Sequence, residues 1–258
     1  MTTGGGNVIQ EKQIMPIVEV DCVFNYSPGT YWDLTVPGAF FEGIKDRFPI
    51  KETLKGTRLM VKADASVPDG ILPQVSGWDR IRFLSKDRKD SVTLDDRALW
   101  ISRSKPLDPW STLKDTIEYA YEKLARVIVP EGLDRIGLRC IYKIEIPETK
   151  FEFDAYFNFR PTLDGDLSKY PVVGFFLGVD TIFRDGRDIC RMQFTPAVPE
   201  RANCSAFVLD LDYFIAKPRS VSPDRAIEWI AEAHDDLRKI SNACITETLM
   251  KALQEGSK

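Results

Sequence analysis

Histidine occurs once in the 258 residues, at His234, and that scarcity removes a large part of enzyme chemistry at the outset. A histidine-rich metal centre is excluded. A histidine triad would have to turn on this one residue, and the chain has no G-x-S-x-G elbow to bring it a nucleophile. His234 sits among Glu232, Asp235 and Asp236 and reads as a helix-surface or helix–sheet histidine. The five cysteines, Cys22, Cys140, Cys190, Cys204 and Cys244, are odd in number and widely spaced, with no C-x-x-C pair. Neither a zinc site nor a thioredoxin-like redox motif is supported. Most lie in apolar runs, the setting of buried free thiols in a reducing compartment.

Other absences narrow the field further. No apolar stretch approaches the ~20 residues a membrane helix needs. Met1 to Gln13 is polar and glycine-rich and lacks the apolar core of a signal peptide. A cytoplasmic protein with no membrane partner is expected. Gly4-Gly5-Gly6 has no strand before it and no lysine after it, so it is no P-loop, and no dinucleotide fingerprint occurs. No cofactor is expected. A basic excess is missing too: 35 Lys+Arg against 39 Asp+Glu leave a net charge of −4, so nucleic acid is not an expected partner.

What is present is an ordinary globular balance of 43% hydrophobic and 29% charged residues, read as a mobile tail over 1–15 and one domain over 16–258. Val18, Val20, Cys22, Phe24 and Tyr26 alternate with Glu19, Asp21 and Asn25, which predicts a strand. Further strands are predicted at 57–64, 80–85, 91–94, 98–103, 136–146, 151–160, 172–183, 188–195 and 205–215, with Asp185-Gly186 a hairpin turn. Three helices are expected. One lies around Phe40, Phe41, Ile44 and Phe48 and stops at Pro49; one is opened by Asp108-Pro109; the last is opened by Ser222-Pro223 and runs toward Leu253. The fold class that follows is α+β: an extended antiparallel sheet built from two meander-plus-helix halves (16–147 and 148–258), with the long helices packed on one face.

Chemistry-bearing residues gather on strand faces. The i,i+2 spacing puts Glu19 with Asp21 and Asp210 with Asp212 on single faces, and Arg135, Arg139 and Lys143 on another. Two readings stay open. The bases pair with the acids across the sheet, or Glu19, Asp210 and Asp212 gather to hold a hard divalent cation, with Arg139 as an anion clamp. The odd-parity row Phe151, Phe153, Phe157 and Phe159 lies beside Glu152 and Asp154, which favours core packing over nucleic-acid stacking.

Three segments carry a resemblance: Pro16-Ile17-Val18-Glu19, Arg135-Ile136-Gly137-Leu138-Arg139-Cys140-Ile141-Tyr142-Lys143-Ile144, and Leu209-Asp210-Leu211-Asp212-Tyr213-Phe214. In order and spacing they resemble a sporadically distributed family of uncharacterised bacterial and archaeal proteins of about 250 residues, close to the length of this chain. That resemblance implies a patchy occurrence like that of defence, toxin–antitoxin or effector–immunity genes. A non-catalytic binding or regulatory role, with a protein partner, a small ligand or a second copy, is the expectation. The alternatives are a metal-dependent hydrolase using the strand carboxylates, and a structural subunit that self-associates through exposed strand edges.

Overall fold

A computed structural model describes residues 15–63, 71–104, 109–172 and 174–255, without the side chains of 56–63, 71–79 and 255. The chain runs β1 (Ile17–Tyr26), α1 (Val36–Ile44), β2 (Ile50–Ala63), β3 (Ile71–Leu84), β4 (Asp90–Leu94), β5 (Ala98–Ser104), α2 (Trp110–Ala125) and β6 (Leu133–Ile146). It continues through α3 (Phe153–Tyr156), β7 (Leu177–Phe183), β8 (Asp188–Ala197), β9 (Ser205–Ile215), α4 (Ala226–Cys244) and α5 (Glu247–Glu255). All nine strands join one sheet in the order β2-β3-β4-β5-β1-β6-β9-β8-β7, and every neighbouring pair is antiparallel. The α+β antiparallel class expected from the alternation is the class observed.

Alternation fixes which residues go inward. Val20, Cys22 and Phe24 of β1 lie opposite Cys140, Leu138 and Ile136 of β6, and all six are buried. The same parity continues into β9 with Leu209, Leu211 and Tyr213, and into β5 with Leu99 and Ile101. Phe24 meets Tyr121 of α2 at 4.6 Å between ring centroids, and Tyr213 meets Trp229 of α4 at 5.8 Å. Phe83 of β3 meets Phe40 of α1 at 5.8 Å. The apolar stripes read from the sequence, Leu113, Ile117 and Leu124 in α2 and Trp229, Ile230, Ala233 and Leu237 in α4, are buried as helical spacing requires.

Several local expectations change. Phe151–Arg160 forms the single turn α3 instead of a strand, because Phe151, Phe153 and Phe157 all converge on Phe207, at 5.8, 5.5 and 5.3 Å. The strand expected from 172 begins at Leu177. Among the described residues five α-helices replace the expected three: α3 is new, and the last helix divides at Ile245, where Asn158 Nδ2 donates to the carbonyls of Ala243 and Ile245 at 3.1 and 2.8 Å. Pro109 stands just before α2, whereas Asp108 lies outside the described residues, as do 1–14 of the expected tail with Gly4-Gly5-Gly6. Met15 is buried. The Asp185-Gly186 turn joins β7 to β8 with left-handed φ of 55° and 86°, the conformation that Asp-Gly suits.

One buried polar knot ties α4 to the sheet. Asp188, with no exposed surface, accepts from Trp229 Nε1 at 3.0 Å, from Arg187 at 2.7 Å and from the Tyr213 hydroxyl at 3.2 Å. The other acceptor near that hydroxyl is Asp236 at 3.1 Å, which is itself held by Arg184 at 2.8 Å. Arg187 also reaches Glu232 at 2.9 Å.

Candidate functional site

The alternate residues of the central strands form a charged, half-exposed face, and the residues singled out from the sequence lie on it. Antiparallel register places Asp21, Arg139, Asp212, Arg191 and Asp180 directly opposite one another across β1, β6, β9, β8 and β7. The row alternates in sign at every step, which is the arrangement cross-strand electrostatics favours. Arg191 grips Asp180 with two hydrogen bonds of 2.9 and 2.8 Å. Arg135 reaches Asp212 at 2.7 Å, with its guanidinium 3.9 Å from the centre of the Phe214 ring. Arg139 forks onto both oxygens of Asp210, at 2.8 and 2.5 Å, and stands 3.8 Å from Asp21. Lys143 pairs with Glu200 at 3.0 Å.

Glu19 is the exception. Among the described residues it has no ion-pair partner, and its pKa is raised by burial and then by the neighbouring Asp21, with Arg139 opposing. Asp212 is raised as well, by burial first, although Arg135 pulls the other way. Six of the seven candidates therefore sit in ion pairs, and Glu19 lies two strands from Asp210 with Ile141 between them. Among the described residues, no group of three or more His, Cys, Asp or Glu is arranged to hold a metal ion.

His234 is placed far from exposed-base duty. Its ring stacks on Trp110 with centroids 3.9 Å apart and planes within 5°, so it brackets α4 to the start of α2. Burial pushes its pKa down to about 4, against the opposing pull of Asp235. All five cysteines are free; four are buried and Cys204 is partly exposed. Burial raises the Cys140, Cys190 and Cys244 thiols, which keeps them protonated and poor nucleophiles.

A second feature escaped the sequence reading. A cavity of about 290 Å³ opens at the start of α4, lined by Arg187, Arg219, Ser220, Ser222, Arg225 and Trp229, with Glu232 beside them. Its arginines are spread over 38 positions and only the tertiary fold gathers them. Each is already near an acid: Arg187 holds Asp188 and Glu232, Arg225 holds Glu228 at 2.9 Å, and Arg219 lies 3.7 Å from Asp134. Among the described residues, no helix is long and apolar enough to cross a membrane. No family model, curated protein or solved structure matches this chain.

Proposed function

We propose that this chain is a non-catalytic binding protein that takes a protein partner on the charged face of its sheet. The observation that supports this reading most directly is the five-strand row of alternating charge. Its members are half-exposed, from 23% for Asp212 to 49% for Arg191, so they are both ordered and within reach. A flat surface of fixed, sign-alternating groups suits a partner of complementary charge pattern, and such patterns govern register and specificity more than raw affinity. A small-ligand site would instead want a concave apolar pocket with few polar groups, and the cavity at α4 is small and mostly polar. A role in defence, toxin–antitoxin or immunity systems goes with the family resemblance alone.

The architecture that underlies this reading is two meander-plus-helix halves with the long helices on one face. What supports it is the mirrored strand order: β5 closes the first meander onto β1, β9 closes the second onto β6, and each is followed by a long helix. On this reading the division falls before β6 (Leu133–Ile146) rather than between 147 and 148. The ring contacts of Tyr121 and Trp229, both made to the apolar side, fit helices lying opposite the charged row.

The test is co-purification with the products of adjacent genes, using the wild type and the charge reversals Arg139→Glu and Arg191→Glu. Specific capture that both reversals abolish, with unchanged circular dichroism, supports the reading. Turnover of a phosphate ester that requires added Mg²⁺ and is lost in Glu19→Gln, with no partner captured, overturns it in favour of the hydrolase.

A further inference from the structure

The two edges of the sheet are guarded very differently. β2, at one edge, has Lys51, Glu52, Lys55, Arg58 and Lys62 in its sequence, the device by which strands avoid unwanted pairing. β7, at the other edge, has no proline and a single charge, Asp180, which Arg191 already neutralises. Exposed apolar side chains gather on it and on the segment before it: Leu167 is 60% exposed, Tyr170 68%, Phe176 69% and Ile182 70%. Of the other side chains that are large, apolar and exposed among the described residues, Tyr31, Leu34, Val129 and Val198 lie outside this stretch of the chain. An unprotected edge with an apolar patch is a pairing surface.

We infer that β7 pairs with β7 of a second copy about a two-fold axis normal to the sheet, joining two nine-stranded sheets edge to edge. Such an axis keeps each face on its own side, so only residues of equal parity come opposite. Centring the axis on Asp180 would set two carboxylates against each other, which is destabilising. Centring it on Gly178 or Thr181 would set Asp180 against Phe176 or Ile182. Centring it on Val179 sets Val179 against its own copy, Leu177 against Thr181, Asp180 against Gly178, and Phe176 against Ile182. Only this register meets the two most exposed apolar side chains of the edge with each other and gives the carboxylate a neighbour without a side chain. Gly178 has a local reason as well, since a Cβ there would lie 3.3 Å from the Phe176 ring. The pairing takes up only Asp180, at the end of the charged row, and leaves Asp21, Arg139, Asp212 and Arg191 free, so it stands or falls separately from the partner-binding reading.

The experiment is light scattering coupled to size exclusion on the full chain at micromolar concentration, with two double variants. The wild type is expected at twice the 29.3 kDa of one chain. Phe176→Lys with Ile182→Lys places like charges opposite each other in this register, and the mass is expected to halve with unchanged circular dichroism. Phe176→Glu with Ile182→Lys places opposite charges together and is expected to keep the dimer. A monomeric wild type, a dimer that survives the lysine pair, or a monomer from both double variants overturns the proposal.

Discussion

Lowering the pH tests the bracket between α2 and α4, because its only titrating member is the one histidine in the chain. In the folded protein His234 is held at about 4, below its ordinary value near 6.5, by burial against Trp110. The folded state therefore favours neutral imidazole. Its contribution is fully present above about pH 6.5 and is withdrawn as pH falls toward the folded value. One proton over that window is about 1.4 kcal/mol per pH unit, which sets a ceiling of about 3 kcal/mol. Two effects bring the expectation below the ceiling. The side chain keeps 20% of its surface exposed, and the Trp110 face attracts a cation by about 0.5–2 kcal/mol. The expected loss is about 1–2 kcal/mol. Urea unfolding of the wild type and His234→Gln, at about pH 7 and about pH 4.5, isolates it from the carboxylates that titrate in both proteins. Near neutral pH the variant is less stable by about 1 kcal/mol, the worth of the lost ring stack. Near pH 4.5 the gap closes or inverts. A single imidazole resonance titrating near 6.5, or a gap that ignores pH, refutes the reasoning.

Two further substitutions probe the polar groups. Asp188→Ala leaves Trp229 Nε1 and Arg187 without their shared acceptor inside the core, and a loss of about 3–5 kcal/mol is expected in chemical denaturation; a loss below about 1 kcal/mol would mean the knot is dispensable. Glu19→Gln removes an unpaired carboxylate whose folded pKa is raised. A raised acid costs stability when ionised and regains it as pH falls through its folded value. The variant is thus expected to be more stable near neutral pH by a fraction of a kcal/mol and equal to wild type in acid; destabilisation at neutral pH would contradict this.

Strand content was legible because period-two alternation is a local property: β1 carries it cleanly from Val20 to Tyr26, and in β6 and β9 it survives the apolar Ile141, Val208 and Phe214 on the charged face. The same pattern misled at Phe151–Phe159. There the alternate phenylalanines serve an aromatic cluster centred on Phe207, and spacing alone does not distinguish a pleat from a turn that aims its rings at one point. The break of the last helix at Ile245 depends on a bridge to Phe157 and on Asn158, 87 positions earlier, and no local signal announces it. For the candidate site, the sequence offered acids and bases on single strand faces. It did not offer the register that interleaves them, and it left out Arg191 and Asp180, which complete the row.

The place of β1 bears on how the chain comes together. It is the first strand in chain order among the described residues, yet it lies at the middle of the sheet, and its two neighbours are β5, at 98–104, and β6, at 133–146. The meanders β2–β5 and β7–β9 are built from neighbours in sequence and can close as soon as they emerge. β1 must wait for β5, at 98–104, to cover one backbone edge and for β6, at 133–146, to cover the other. The centre of the sheet is thus sealed only after the first meander has formed, and one edge of β1 stays open until β6 is in place.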